Sequence, residues 1–115
     1  MRNKRRSWKP LESDIQLQIL KYLGIVGANG GKTKTMGVKR GNSYWADPYL
    51  FLGFPDVTFF FRGNLYFCEV KRPGGRQSPA QIEFQARCKN CGIRYILAYS
   101  VDDVIEYLKK DGYNV

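Results

Sequence analysis

Histidine is absent from the 115 residues of this chain. Its absence excludes histidine general-base catalysis, Ser-His-Asp triads and Cys/His zinc sites. Cysteine is scarce: Cys68, Cys88 and Cys91 make an odd number, which argues against a disulfide framework. Acidic residues are outnumbered, 10 against 19 lysines and arginines. No apolar run is long enough to cross a bilayer, so no membrane association is expected. The basic start is not followed by the apolar core of a signal peptide, so a cytoplasmic location is expected. Any hydrolysis must run on carboxylates, lysines, cysteines and metals.

What is present points toward a polyanion. The net charge of +9 fits either a solubilising surface or a nucleic-acid partner. Lysines and arginines spread along the whole chain favour nucleic acid. Aromatic side chains are plentiful, which argues against disorder. The length suits one domain with one sheet and helices packed on it. Residues 1–9 form a basic arm with Arg2, Lys4, Arg5, Arg6 and Lys9, expected to be flexible. It is either a phosphate-binding arm or a solvated terminus. Residues 10–115 are expected to form the single domain.

The centre of the chain is a hairpin. Val57 to Phe61 and Leu65 to Lys71 are rich in aromatic and β-branched residues, with Arg62-Gly63-Asn64 between them. A two-residue loop at Gly63-Asn64 would set Arg62 opposite Leu65, Phe60 opposite Phe67, Thr58 opposite Glu69 and Asp56 opposite Lys71. Asp56, Glu69 and Lys71 would then share one face, with the two carboxylates on a diagonal of about 7–8 Å between backbones. A three-residue loop would send Asp56 to the other face. Such a trio is either a cross-strand ion-pair cluster or a place where two carboxylates hold one divalent cation.

The flanks carry weaker signals. Pro10 suits the first turn of a helix whose apolar positions are Leu11, Ile15, Ile19, Tyr22 and Leu23, with Gly24 as its stop. Glu12 adjoins that face. Gly27 to Thr33 reads Gly-Ala-Asn-Gly-Gly-Lys-Thr, but Val26 occupies the first glycine position that a P-loop needs, and a helix precedes it, so the P-loop is rejected. Lys32, Lys34, Lys39 and Arg40 are expected to form a mobile basic loop on DNA, with a first strand over Thr33 to Val38. The aromatic stretch Asn42 to Leu52 reads as core packing and a lid, with base stacking open for one of its rings. Arg72 and Arg76 stand beside the proposed site. Ser78 as N-cap, Pro79 at N1 and Gln81 at N3 announce a helix, with Ile82, Phe84, Ala86 and Cys88 as its apolar positions and Gly92 beyond its end. Cys88 and Cys91 form one CxxC, read as inert helix-end thiols because zinc would need two further ligands. Arg94 to Tyr99 reads as a buried strand. Ser100, with Asp103 three residues on, opens a last helix whose apolar face is Val101, Val104, Ile105 and Leu108.

Gly53-Phe54-Pro55-Asp56, then Glu69-Val70-Lys71, then Gly75-Arg76-Gln77-Ser78-Pro79-Ala80-Gln81 resembles the PD-(D/E)xK nuclease motif in its virus-type replication–repair form, the VRR-NUC domain. The likeness runs from about Glu12 to about Leu108. It implies an α/β, restriction-endonuclease-like core, a mixed sheet flanked by helices in the order α-β-β-β-α-β-α. It implies metal-dependent DNA cleavage with Mg²⁺, or Mn²⁺ in its place, on Asp56, Glu69, the Val70 carbonyl and Glu12. Lys71 would act on the water or the phosphate. Gln81 would lie near the phosphate, while the capping box gives it a second, structural role. Stand-alone members of this branch are associated with four-way junctions. The expectation is therefore a homodimer cutting branched DNA, in a bacterial or phage-infected cell. A flap nuclease, a non-catalytic DNA-binding module on the same fold and a protein-interaction module are the alternatives.

Overall fold

A computed structural model describes residues 10–34 and 49–115. The basic arm, residues 35–38 of the expected first strand, Lys39, Arg40, Tyr44 and Trp45 lie outside the described residues. The element order is α1 (Glu12–Ile25), β1 (Asn29–Lys32), β2 (Val57–Phe61), β3 (Asn64–Val70), α2 (Pro79–Asn90), β4 (Arg94–Ala98) and α3 (Val101–Lys110). This is the α-β-β-β-α-β-α order expected. The strands form one sheet in the order β1-β2-β3-β4. β1 and β3 run antiparallel to β2, and β4 runs parallel to β3. The parallel step follows from its connection, because α2 carries the chain back along the sheet.

Side-chain alternation along the strands divides the molecule into two layers. Val57, Phe59, Phe61, Tyr66, Cys68, Val70, Ile96 and Ala98 face Ile15, Ile19 and Leu23 of α1 and Val104 and Leu108 of α3. On the opposite face Phe67, Tyr95 and Leu97 meet Phe84 and Cys88 of α2 and Phe54. Asp56 and Glu69 belong, by the same alternation, to the α2 face. No helix among the described residues is long and apolar enough to cross a membrane.

Several local expectations are corrected. The first described strand lies at Asn29–Lys32, inside the glycine-rich segment read as a loop, and Thr33 and Lys34 of the expected strand follow its end. Glycine serves there because a Cβ on Gly30 would stand 2.9 Å from Leu23 Cδ1 and 3.1 Å from Phe59 Cβ, so α1 can approach the sheet only where that side chain is missing. The hairpin loop has two residues, but they are Arg62-Gly63, with Phe61 paired to Asn64 and Val57 to Cys68. Both adopt positive φ, 49° and 81°, as a type I′ turn requires. The Arg62 guanidinium lies 5.2 Å from the centre of the Phe61 ring and 5.6 Å from that of Tyr113, contacts that offset its left-handed backbone. The register moves by two residues, so no side chain changes face.

The helix ends also differ in detail. Pro10 and Leu11 precede α1, and the Leu11 N–H donates to Asp14 Oδ2 at 3.1 Å. Gly24 lies within α1 rather than ending it. On α2 the inward residues are Gln81, Phe84 and Cys88, while Ile82 and Ala86 face outward. The Ser100 side chain makes no cap bond; Asp103 instead accepts from the Tyr99 N–H at 2.7 Å.

Candidate active site

The site forms where three backbone segments meet. The first is the turn into β2. Gly53 has φ 71°, and a Cβ there would collide with the Ala80 carbonyl and the Gln81 nitrogen. Only glycine lets this segment rest on the first turn of α2. Pro55 and Asp56 follow it. The second is the end of β3, where Glu69 and Val70 precede Lys71. Because Val57 pairs with Cys68, the next step outward sets Asp56 beside Glu69, closer than the diagonal expected. The Val70 N–H donates to Asp56 Oδ2 at 2.8 Å and locks the two segments together. The third is the start of α2, where Gln81 N–H donates to Ser78 Oγ at 3.2 Å and Ser78 N–H donates to Gln81 Oε1 at 2.8 Å. The capping box is present, and its amide has a free end. Gln81 Nε2 donates to Glu69 Oε2 at 3.0 Å.

The result is a buried polar cluster. Glu69, Asp56 and Gln81 are 0%, 4% and 4% exposed. Lys71 Nζ stands 3.7 Å from Glu69 Oε2 with a side chain 12% exposed. Lys34 Nζ stands 3.5 Å from Asp56 Oδ1 and 4.0 Å from Glu69 Oε2, with a side chain 47% exposed. Burial holds the Glu69 carboxyl well above the ordinary carboxylate range; Asp56 adds to this by hydrogen bond and charge, while Lys34 and Lys71 pull the other way. Among the described residues, Glu69 Oε1 is buried with no hydrogen-bond partner.

That orphaned oxygen tests the fit of a divalent cation. Two adjacent carboxylates, one with an unpartnered oxygen, form a hard-oxygen set of the kind a divalent cation takes. The Lys34 ammonium already brings a positive charge to the same pair. No cluster of three or more His, Cys, Asp or Glu side chains with metal-holding geometry occurs among the described residues. Glu12 therefore does not join Asp56 and Glu69. The buried stripe of its helix packs on the opposite face of the sheet.

The structure brings together Asp56, Glu69, Lys71 and Gln81, with Val70 between the two β3 residues. Lys34, expected among the DNA-binding lysines, meets the two carboxylates. The surrounding sequence holds no signal for this, because it depends on β1 pairing with β2. Lys32 and Arg76 are exposed and Arg72 is half-buried at the turn closed by Gly75 N–H to the Arg72 carbonyl at 2.8 Å. Cys68, Cys88 and Cys91 are free thiols. Burial, with the charges of Asp56 and Glu69 behind it, pushes the Cys68 thiol up and leaves it unreactive.

Residues 49–102 match the VRR-NUC domain family. The match takes in Asp56, Glu69, Lys71 and Gln81 but neither Glu12 nor Lys34. A solved structure titled "VRR_NUC domain" superposes with a TM-score of 0.63 at 23% identity, covering 83% of this chain and 94% of that one, and so shares the fold. No curated protein matches the chain. A VRR-NUC domain implies a nuclease of the PD-(D/E)xK type, with DNA as its partner.

Proposed function

We propose that this chain, which carries a VRR-NUC domain over residues 49–102, is a divalent-metal-dependent endonuclease that cuts branched DNA as a homodimer. The observation that carries the chemistry is the buried pair Asp56–Glu69 with Lys71 against it. Asp56 and Glu69, with the Val70 carbonyl, would hold Mg²⁺ or Mn²⁺. When bound, such an ion supplies polarisation of the phosphate and acidifies water.

The chain's own groups then divide the remaining work. Gln81 fixes the orientation of Glu69 through its amide. The Lys71 ammonium, largely sheltered from solvent, would orient the attacking water or neutralise charge growing on the phosphate. Arg72 and Arg76 supply phosphate contacts beside the site and Lys32 a further one from the opposite face of the sheet, in keeping with the net charge of +9. The expected contributions of Lys39, Arg40 and the basic arm belong to the same proposal.

Pairing would provide two active sites on a wide basic surface, as a four-way junction needs, and twofold symmetry is the commonest oligomer solution. Exposed Leu50, Phe51 and Leu52 beside an apolar groove support an interface there. The test is cleavage of four-way junctions, flaps, forks and plain duplex with Mg²⁺ or Mn²⁺, beside a solution mass measurement. Asp56→Ala, Glu69→Ala and Lys71→Ala should each abolish cutting while DNA binding survives. Full activity in any of the three would remove that residue from the chemistry. A monomer that cuts flaps and ignores junctions would overturn the substrate and leave the nuclease.

A further inference from the structure

Among the described residues, Lys34 is the cation that reaches both carboxylates, at 3.5 Å from Asp56 Oδ1 and 4.0 Å from Glu69 Oε2. Lys71 reaches Glu69 alone. The residue before Lys34 is anchored to the site. Thr33 N–H donates to the Asp56 carbonyl at 2.8 Å, Thr33 Oγ1 donates to the Pro55 carbonyl at 3.0 Å, and the same hydroxyl lies 2.8 Å from Thr58 Oγ1. The Lys34 backbone is therefore held at the mouth of the site, while its half-exposed side chain has room to swing out.

Two buried carboxylates without a counter-charge would be costly to the fold, and Lys71 offsets only one. Lys34 supplies the second charge. Asp56 Oδ2 is already taken by the Val70 N–H and Glu69 Oε2 by Gln81, and Lys34 stands against the remaining Asp56 oxygen. A divalent cation held by Asp56 and Glu69 would compete with Lys34 for the same carboxylates, because two like charges are repelled from one small polar pocket. We infer that Lys34 is a resident counter-cation of the Asp56–Glu69 pair that a divalent ion must displace, so that metal loading and release of Lys34 are one event. The inference rests on the nuclease reading above, and it makes Lys34 a positioning residue that sets metal affinity.

The test is a calorimetric Mn²⁺ titration of the full chain without DNA. Wild type is compared with Lys34→Met, the charge-preserving Lys34→Arg, and Lys21→Met as a control for losing one exposed charge on α1. Lys34→Met is expected to bind Mn²⁺ about two- to fivefold more tightly, the size of an ion pair partly in water, with Lys34→Arg and Lys21→Met close to wild type. In chelator the melting temperature of Lys34→Met should fall below that of wild type, and saturating Mn²⁺ should close the gap. Equal Mn²⁺ affinity in Lys34→Met and Lys21→Met, with wild type still binding and cutting, would overturn this inference alone. Failure of every form, wild type included, to bind Mn²⁺ would overturn the nuclease reading and this inference with it.

Discussion

Gln81 Nε2 donates to Glu69 Oε2 at 3.0 Å while Gln81 Oε1 accepts the Ser78 N–H at 2.8 Å. One amide thus closes the N-terminus of α2 and orients the buried carboxylate of β3. Helix capping and site assembly are the same event. Gln81→Ala should cost about 2–4 kcal/mol in urea denaturation, the sum of a lost cap and an unsatisfied buried carboxylate. Gln81→Glu keeps a good N3 residue but sets a second carboxylate against Glu69. It should retain helix content by circular dichroism and lose cleavage. Wild-type activity in Gln81→Glu would show that the amide donor is dispensable.

Gly53 should be the least tolerant glycine. A methyl group there meets backbone atoms of Ala80 and Gln81, and its φ is 71°. Gly53→Ala should destabilise by about 1–3 kcal/mol and lower cleavage by more than about tenfold, because it shifts the end of α2 that carries Gln81. Gly63→Ala is the comparison: its φ is 81°, but nothing lies within 4 Å of the added methyl. It should lose stability and keep activity. Equal activity losses in both would mean that Gly53 acts only through stability.

The metal-free protein should lose stability as the pH rises. The unfolded Glu69 carboxyl titrates near its ordinary value of 4.5, and burial raises it in the fold. Below the unfolded value both states are protonated and the group contributes no pH dependence. Above it the unfolded state ionises first, so the fold is progressively disfavoured until Glu69 itself ionises. Urea midpoints in chelator from about pH 5 to about pH 9 should fall in wild type and fall less in Glu69→Gln. Parallel curves would show that another group carries the dependence.

DNA binding should weaken steeply with salt. Each phosphate contact adds about 0.9 to the slope of log affinity against log salt. Replacing both Arg72 and Arg76 by alanine should lower that slope by about 2 and weaken all sequences alike. A slope unchanged by the double replacement would move the DNA track elsewhere on the surface.

Much of this was open to reading along the chain, and the reason is locality. The hairpin rests on two β-rich runs and a turn. The α2 cap rests on Ser78, Pro79 and Gln81 within four positions. The face shared by Asp56 and Glu69 rests on a period of two, which survives a register slip of two residues. The double use of Gln81 was half legible, since its capping role is local and its partner Glu69 lies twelve residues away.

The chain alone determined a basic, histidine-free protein, and a period of two that sets Asp56, Glu69 and Lys71 on one face of a hairpin as the candidate site. Tertiary structure decided the rest. A glycine-rich segment became β1 because Gly30 lets Leu23 approach the sheet. That pairing carried Thr33 to Pro55, Asp56 and Thr58, and with it brought Lys34 onto the two carboxylates. It also left Glu12 on a helix packed against the other face. These placements depend on contacts between segments far apart in sequence, and no local pattern of residues encodes which distant strand a glycine-rich run will join.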